Sequence, residues 1–304
     1  EVSNYCNNLS NNGSRILVLA IKESNILSFN DLVFVGAICI KDEIRPEAIE
    51  GIKLVKEASI KTIMLTGDNK NTALSIAKEV GLVEKETDIV LTSSDLEKMT
   101  DDEIRNIFND LKVVARSLPT DKTRLIKIAQ SLNLVTGMTG DGVNDAPSLK
   151  ISDVGFAMGS GTSVAKEAAD IVILDDNFLS ISKAILYGRT IFKSIRKFII
   201  CQLTVNLCAI FLSFIGPFIG VPTPVTVIQM LWVNMVMDTL TGLAFAFEPA
   251  LLEYMKEKPK KRDENIINKY MFEEIFVTGI YSSILCILFL KLPFIKKIYE
   301  NNTN

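Results

Sequence analysis

Short apolar runs alternate with helical patterns over the first 190 residues of the chain. The runs are rich in β-branched residues, as buried strands are. The stretches between them carry helix signals. Pro46 stands at a first-turn position of one helix, Gly81 follows residues 73–80 as the stop of a second, and Thr120 can cap a third that ends near Leu132. This alternation predicts an α/β fold with a parallel, doubly wound sheet. The predicted strands are residues 32–40, 62–65, 113–115, 134–138, 154–158 and 171–174.

The pattern changes beyond residue 197. Between residues 198 and 247, Asp238 is the only Asp, Glu, Lys or Arg. This apolar stretch is too long for one buried core helix and suits two membrane spans joined by a turn. A Gly- and Pro-rich break at residues 216–224 separates predicted spans near 197–216 and 225–247.

A third apolar segment, residues 271–290, predicts another span. Basic clusters at residues 189–197 and 256–262 flank the first two spans. The positive-inside rule places both clusters in the cytoplasm. The chain between them must then cross the membrane an even number of times, and the two predicted spans meet this requirement. Lys291, Lys296 and Lys297 would then lie outside, so either the third span is re-entrant or further spans follow. We therefore expect an integral, multi-pass membrane protein whose sheet domain is cytoplasmic.

Composition excludes several classes of function. The net charge is −3, so nothing indicates nucleic-acid binding. Histidine is absent, which removes Ser-His-Asp hydrolases, papain-like thiol enzymes and histidine-ligated zinc. The five cysteines form no CxxC pair and are interpreted as reduced structural residues.

Three polar loops follow predicted strands, at the edge where parallel sheets bind ligands: residues 66–69, 119–122 and 139–147. The last, TGDGVNDAP, crowds Asp141 and Asp145 into one turn, and hard oxygen ligands on a flexible backbone suit Mg²⁺. A plain surface turn is the alternative, because Asp, Gly and Asn are common in turns.

The other two loops carry weaker signals. Thr66, Gly67 and Asp68 offer a hydroxyl and backbone N–H groups at a helix N-terminus, which predicts a phosphate cradle, although a capped helix start is the alternative. Lys122 predicts a fixed cation beside a phosphoryl group, and its alternative is a solvated lysine.

TGDGVNDAP, MLTGDN and LPTDK, in this order and spacing, resemble the phosphorylation domain of P-type ATPases, members of the haloacid-dehalogenase superfamily. The resemblance covers nearly the whole chain. It implies a Rossmann-like parallel sheet, ATP as substrate and Mg²⁺ as cofactor. The implied roles are Mg²⁺ ligand for Asp141, orientation of the phosphate network for Asn144 and Asp145, phosphate contacts for Thr66, Gly67 and Asp68, and charge neutralisation for Lys122.

Two arginines gain roles from the same resemblance. KDEIRP, with Asp42 and Arg45, matches a hinge motif whose arginine touches nucleotide, and Arg116 stands where the family has a domain-closing arginine. The implied organisation is the end of a nucleotide-binding domain at 1–30, a phosphorylation domain at 31–190 and an α-helical transmembrane bundle at 191–304, corresponding to the family's spans five to seven.

One family motif is absent from this chain. The aspartyl-phosphate nucleophile of P-type ATPases lies in DKTGT, which does not occur here. We therefore expect the chain to be part of a pump, inactive alone, whose partners include the missing N-terminal part. The alternatives are a catalytically inactive, binding-only remnant and a soluble haloacid-dehalogenase-type phosphatase.

The membrane half contains a candidate cation site. Asp238 is costly in lipid unless it is paired or coordinating, so it marks an ion path. Asn234 lies one helical turn before it, Gly242 one turn after it would tolerate local unwinding, and Asn206 with Gln202 and Thr204 in the preceding span offers further oxygens. The alternative for the amides is that they join helices by hydrogen bonds.

MLWVNMVMDT and QLTVN are similar to the sixth and fifth spans of calcium pumps. Ala209 stands where internal-store pumps have a second-site glutamate, so the closer resemblance is to the plasma-membrane type, which carries one Ca²⁺ per cycle. The resemblance implies Ca²⁺ bound by Asn206, Asn234 and Asp238, with membrane lipid around the spans. Calmodulin is an expected partner whose binding tail would lie beyond Asn304.

Overall fold

The computed structural model describes residues 5–6, 14–22, 32–40, 43–221, 223–293 and 295. The chain divides into two compact units. The sheet unit comprises Glu1–Ile185 and Met255–Asp263, and the helical unit comprises Leu186–Tyr254 and Glu264–Asn304. The domain boundaries given above stay predictions; the inclusion of Met255–Asp263 in the sheet unit is a feature that the sequence pattern does not indicate.

The described strands of the sheet unit form three sheets. β1 and β2 are an antiparallel ribbon, β3, β4 and β5 form a parallel sheet in the order β3-β5-β4, and β6, β7 and β8 form a second in the order β6-β7-β8. The parallel pairing confirms the predicted α/β class. The strands are β1 Arg15–Ile21, β2 Val33–Ile40, β3 Met64–Leu65, β4 Ile89–Thr92, β5 Leu111–Ala115, β6 Gly137–Gly140, β7 Val154–Met158 and β8 Ile171–Ile173.

Short helices of the sheet unit cover its parallel sheets. Apolar side chains from β5 pack against helices on two sides: Val114 lies with the cluster of Leu125 and Ile128, and Val113 lies with that of Ala73 and Ala77. Burial on both faces explains the apolar run of residues 113–115 within β5. The helices are α1 Pro46–Glu57, α2 Lys70–Glu79, α3 Ser93–Lys98, α4 Asp101–Ile107, α5 Pro119–Ser131, α6 Ala146–Ile151 and α7 Ser163–Ala168.

Strands β2, β7 and β8 lie within one residue of their predicted bounds, whereas β3 begins two residues later and β5 two residues earlier than predicted. Strands β1 and β4 have no counterpart among the predicted strands. The strand predicted at 134–138 begins only at Gly137, because Asp153 accepts a 2.8 Å hydrogen bond from the Thr136 N–H and Leu134 pairs instead with Lys261. Thr120 does not cap α5: Pro119 already starts the helix, and the Asp121 carboxylate accepts from the Leu118 N–H at 2.9 Å.

The helical unit is built from helices long and apolar enough to cross a membrane, and the described residues contain three of them. Helix α8, Phe178–Ile215, begins in the sheet unit and continues without a break. Helix α9 is Val227–Ala246 and helix α10 is Lys269–Leu290. Between α8 and α9, a Cβ on Gly216 would lie 2.0 Å from Pro224 Cγ, so this tight turn requires glycine.

Two glycines lie at contacts among these helices. A Cβ on Gly279 of α10 would lie 2.9 Å from Leu207 Cδ2 of α8, and a Cβ on Gly242 of α9 would lie 4.0 Å from Phe198 Cε2 of α8. Small residues let helix backbones approach closely in lipid. Helix α8 is therefore in contact with both other helices.

The segment Met255–Asp263 belongs to the sheet unit although it follows α9. Arg262 Nη2 lies 3.0 Å from Asp153 Oδ1, and Asn133 Nδ2 donates to Asp263 Oδ1 at 2.5 Å. Arg262 is thus engaged in an ion pair, a role that its place in a basic cluster does not predict.

Candidate functional site

The loop after β6 is held by Asp145, whose side chain is nearly buried. Lys122 Nζ lies 2.6 Å from Asp145 Oδ1, and the backbone N–H groups of Asp141 and Gly142 both donate to Asp145 Oδ2 at 3.3 Å. The pair is 18% and 10% exposed for the lysine and aspartate side chains. Asp145 therefore fixes the loop, and Lys122 is an ion-pair partner instead of a solvated lysine.

Asp141 differs from Asp145 in its surroundings, although only four residues separate them. Asp141 is exposed, and the hydrogen bonds that hold it use its backbone: its N–H donates to Asp145, and its carbonyl accepts from the Thr162 N–H at 2.8 Å. Its carboxylate is therefore available to a cation. Asn144, which the sequence places in the phosphate network, is also exposed.

The donor set fits a Mg²⁺ ion that retains several water molecules. Within the described parts of the chain, no group of three His, Cys, Asp or Glu side chains is placed to hold a metal. Mg²⁺ commonly takes one or two protein carboxylates and completes its shell with water and substrate phosphate. Asp141 suits that use, and the residues present do not form an all-protein metal cage.

A second loop, Gly159 to Thr162, supports the Asp141 loop and is a part of the site that the sequence analysis missed. A Cβ on Gly161 would lie 2.9 Å from the carbonyl oxygens of both Asp141 and Met158. Thr162 also begins α7, because its hydroxyl accepts from the Ala165 N–H at 3.3 Å. The signal that could have revealed the loop is the sequence GSGT between a strand and a helix.

Thr66 and Asp68 form a compact turn at the end of β3. Thr66 Oγ1 donates to Asp68 Oδ2 at 2.9 Å, while the Asp68 N–H donates to Thr66 Oγ1 at 3.2 Å. Helix α2 is capped by Asn69, whose side chain accepts from the Thr72 N–H, so Thr66 is not the cap. A Cβ on Gly67 would meet no atom within 4 Å, so the turn is open on that side.

Arg116 lies beside the same turn in a strained conformation. Its φ of 55° is in the left-handed region, which a non-glycine residue adopts at a cost of about 1 kcal/mol or more. Its N–H donates to the Asp68 carbonyl at 2.9 Å, and the Ser117 N–H donates to the Thr66 carbonyl at 2.9 Å. The structure thus brings Thr66, Gly67, Asp68 and Arg116 together.

Arg45 lies near the Gly159–Thr162 loop. Its Nη1 donates to the Asp176 carbonyl at 3.2 Å, and the Asp176 carboxylate accepts from the Ser160 N–H at 3.0 Å. That hydrogen bond from Ser160, with a smaller contribution from the Arg45 charge, holds the pKa of Asp176 below its usual range. The nucleotide contact of Arg45 stays a prediction, and Asp42 lies outside the described residues.

The Thr66 turn follows the carboxyl end of strand β3, and the Asp141 loop follows the carboxyl end of strand β6. In the described residues, β3 pairs only with β5, and β6 pairs only with β7. Each therefore has one free edge. A parallel strand could pair with these edges, because their backbone groups have no strand partner there.

The candidate cation ligands lie in the helical unit. Asn206 and Asn234 are half-buried and Asp238 is exposed. Neither amide nor the carboxylate has a hydrogen-bond partner within the part of the chain described, and the buried hydroxyl of Thr204 has none either. No hydrogen bond joins these side chains in the part of the chain described, so the Ca²⁺ site stays a prediction.

Comparison with known proteins defines the class. Residues 14–153 and 122–185 match two family models described as haloacid dehalogenase-like hydrolase, and residues 222–303 match one described as cation transporting ATPase, C-terminus. A zinc-transporting PIB-type ATPase solved in its E2.Pi state is similar with a TM-score of 0.53 and 25% identity, over 84% of this chain and 33% of that one. The chain is therefore similar to haloacid dehalogenase-like hydrolases over its sheet unit and to cation-transporting ATPases over its helical part.

Sequence relatives are named as calcium-transporting ATPases. The probable calcium-transporting ATPase 6, plasma membrane-type, of Oryza sativa subsp. japonica is 39% identical over 92% of this chain and 28% of its own length. Plasma membrane calcium-transporting ATPase 4 of Bos taurus is 42% identical over 85% of this chain and 22% of its own length. The chain thus spans about a quarter of the length of these relatives.

Gly140→Ala is expected to disrupt the Asp141 loop. The added Cβ would lie 2.5 Å from Asp145 Cβ and 2.8 Å from its Cγ, so Asp145 must move and the Lys122 ion pair must stretch. We expect a loss of about 3 kcal/mol in the free energy of unfolding, because overpacking combines with loss of a mostly buried pair. Chemical denaturation measures it, with Gly188→Ala as control because that site is open. Equal stability of both variants would contradict this geometry.

Proposed function

We propose that this chain is the phosphorylation-domain and membrane part of an ATP-driven Ca²⁺ transporter. The observation that carries the proposal is the loop in which Asp145 and Lys122 fix the backbone and leave the Asp141 carboxylate exposed. The helices long and apolar enough to cross a membrane and the named calcium-transporting relatives support the transport half of the proposal. The same helices argue against the soluble phosphatase alternative.

We infer that a strand outside this chain supplies the aspartate that is phosphorylated, since DKTGT does not occur here. The free edges of β3 and β6 support this inference. A parallel strand paired with both would end between the Thr66 turn and the Asp141 loop. Its aspartate would attack the γ-phosphorus of ATP, ADP would leave, and an acyl phosphate would form.

The residues of this chain position and neutralise the phosphoryl group. Mg²⁺ bound at Asp141 would supply positive charge to the phosphate oxygens. The Thr66 hydroxyl and the N–H groups of its turn would donate to those oxygens. Lys122 adds an ammonium group, and Asp145 keeps that group and the Asp141 backbone in fixed positions. Arg116 and Arg45 are the proposed domain-closing and nucleotide-contacting arginines.

The transported ion would bind in the helical unit. Asn206, Asn234 and Asp238 supply hard oxygen ligands of the kind that suits Ca²⁺, and further oxygens would come from a span outside this chain. Helix α8 is unbroken over 38 residues, or about 57 Å, and carries Asn206. Its continuity suits transmission of movement from the phosphate site. We propose a multi-pass protein with the sheet unit in the cytoplasm.

The test is phosphorylation and uptake by the complete gene product in sealed vesicles. With ATP and Mg²⁺, we expect ⁴⁵Ca²⁺ uptake and a Ca²⁺-dependent phosphoprotein that is stable in acid and cleaved by hydroxylamine, as an acyl phosphate is. Nucleotide binding without any phosphoprotein would instead support the binding-only remnant.

A further inference from the structure

Three basic side chains lie on one face of α8 and contact the segment that follows α9. Arg189, Lys193 and Lys197 are four residues apart and so share that face. Arg189 Nη1 donates to the Tyr254 carbonyl at 2.8 Å, Lys193 Nζ lies 4.0 Å from the centroid of the Tyr254 ring, and Lys197 forms an ion pair with Glu248. The first two contacts hold Tyr254, which lies in the short 3₁₀ helix Leu252–Lys256, whereas the third joins the middle of α8 to the residues just beyond α9.

Glu248 lies two residues beyond Ala246, the last residue of α9. Its Oε1 pairs with Lys197, and its Oε2 accepts from Ser194 Oγ at 3.4 Å. The hydrogen bond from Lys197 holds the pKa of the Glu248 carboxyl below its usual range, so the glutamate is charged at neutral pH. Side-chain exposure is 44% for the lysine and 22% for the glutamate, so water screens the pair only in part.

The pair lies close to the contact between α8 and α9. Phe198, the next residue after Lys197, packs against Gly242. From this contact Asn206 is eight residues further along α8, and Asn234 is eight residues back along α9, so each lies about 12 Å away along its helix. Asp238 lies one turn nearer. Asn206 and Asn234 therefore lie at about the same distance along the helix axes from this contact. Their relative position along the axes depends on the register of α8 against α9.

We propose that Lys197 and Glu248 form a latch that fixes the register of α8 against α9 and so positions Asn206 beside the Asn234–Asp238 turn. Both are positioning residues, not ion ligands. Helix α9 needs such a restraint: it buries none of its described residues, and a glycine at its contact with α8 gives little interlocking. This inference rests on the proposed function and extends it.

Loss of the latch would weaken Ca²⁺ binding and would leave the phosphorylation reaction nearly unchanged. A shift of either helix along its axis separates the amide oxygens from the carboxylate, so the Ca²⁺ concentration for half-maximal transport should rise. For a partly exposed ion pair we expect a change of about two- to fivefold. The maximal rate at saturating Ca²⁺ should change by less than about twofold, since the latch touches neither Asp141 nor Lys122.

The experiment measures ⁴⁵Ca²⁺ uptake by the complete gene product as a function of Ca²⁺ concentration. The variants are Lys197→Met, Glu248→Gln and the double variant, with the thermal unfolding midpoint recorded for each. The double variant should be no worse than either single one. Lys197→Arg should behave as wild type because it keeps the charge. The controls are Lys183→Met, an exposed lysine earlier in α8, and Glu253→Gln, an exposed acid after α9.

Two results would overturn the latch: additive effects of the two substitutions, or a fall in maximal rate with unchanged half-saturation. Failure of the proposed function has a different signature, in which wild-type protein moves no Ca²⁺. In that event the coupling of Lys197 and Glu248 is judged from the unfolding midpoints alone. Additive changes in those midpoints would then reject the pair itself.

Discussion

Asp238→Asn is expected to abolish Ca²⁺ transport, lowering uptake at micromolar Ca²⁺ at least about a hundredfold. Asp238 is the only acid between residues 198 and 247, so the substitution removes the one formal negative charge available to a cation there. An amide keeps the shape of the side chain but loses the ionic attraction that offsets dehydration of a divalent cation. Measurement of ⁴⁵Ca²⁺ uptake in vesicles, together with Ca²⁺-dependent phosphorylation, checks this prediction.

The matched control for Asp238→Asn is Glu274→Gln. Glu274 is an acid in the first turns of α10, is exposed and lies near the helix end. The same acid-to-amide change there should leave uptake within about twofold of wild type, as for ordinary surface substitutions. If Asp238→Asn retained normal uptake, the assignment of this carboxylate to the ion path would be wrong.

Local patterns were enough to predict the fold class and the three long apolar helices. Strand β7 matches its prediction at both ends, because turn residues border a compact apolar run. Strand β4 escaped prediction since its four residues stand between polar segments, and it forms only by pairing with β5. The start of β6 was misplaced because Thr136 is held by Asp153, a partner 17 residues away that local sequence does not reveal.

The candidate site could be predicted only in part for a related reason. Motif spacing located the Asp141 loop, Lys122 and the Thr66 turn, but it did not distinguish the environments of the two aspartates. That distinction depends on long-range contacts, since Lys122 reaches Asp145 across 23 residues. The support from Gly161 and the Arg262–Asp153 ion pair likewise depends on tertiary contacts.

The opposite environments of the two aspartates predict opposite consequences of the same substitution. Asp141→Asn should lower phosphoprotein formation by about 10²–10³-fold, because it removes the carboxylate proposed to bind Mg²⁺. Its stability should be unchanged within about 0.5 kcal/mol, since Asp141 is exposed and is held through its backbone. Asp145→Asn should instead cost about 3 kcal/mol of unfolding free energy, because Lys122 loses its charged partner in a mostly buried site.

Two measurements on the complete gene product separate these effects: the phosphoprotein level from labelled ATP at several Mg²⁺ concentrations, and the unfolding free energy from chemical denaturation. Asp141→Asn should require more Mg²⁺ and remain stable, whereas Asp145→Asn should unfold earlier at every Mg²⁺ concentration. Lys122→Met should be destabilised like Asp145→Asn, because the two side chains form one pair. If Asp141→Asn were the less stable of the two aspartate variants, the roles assigned to these carboxylates would be reversed, and the metal ligand would have to be Asp145.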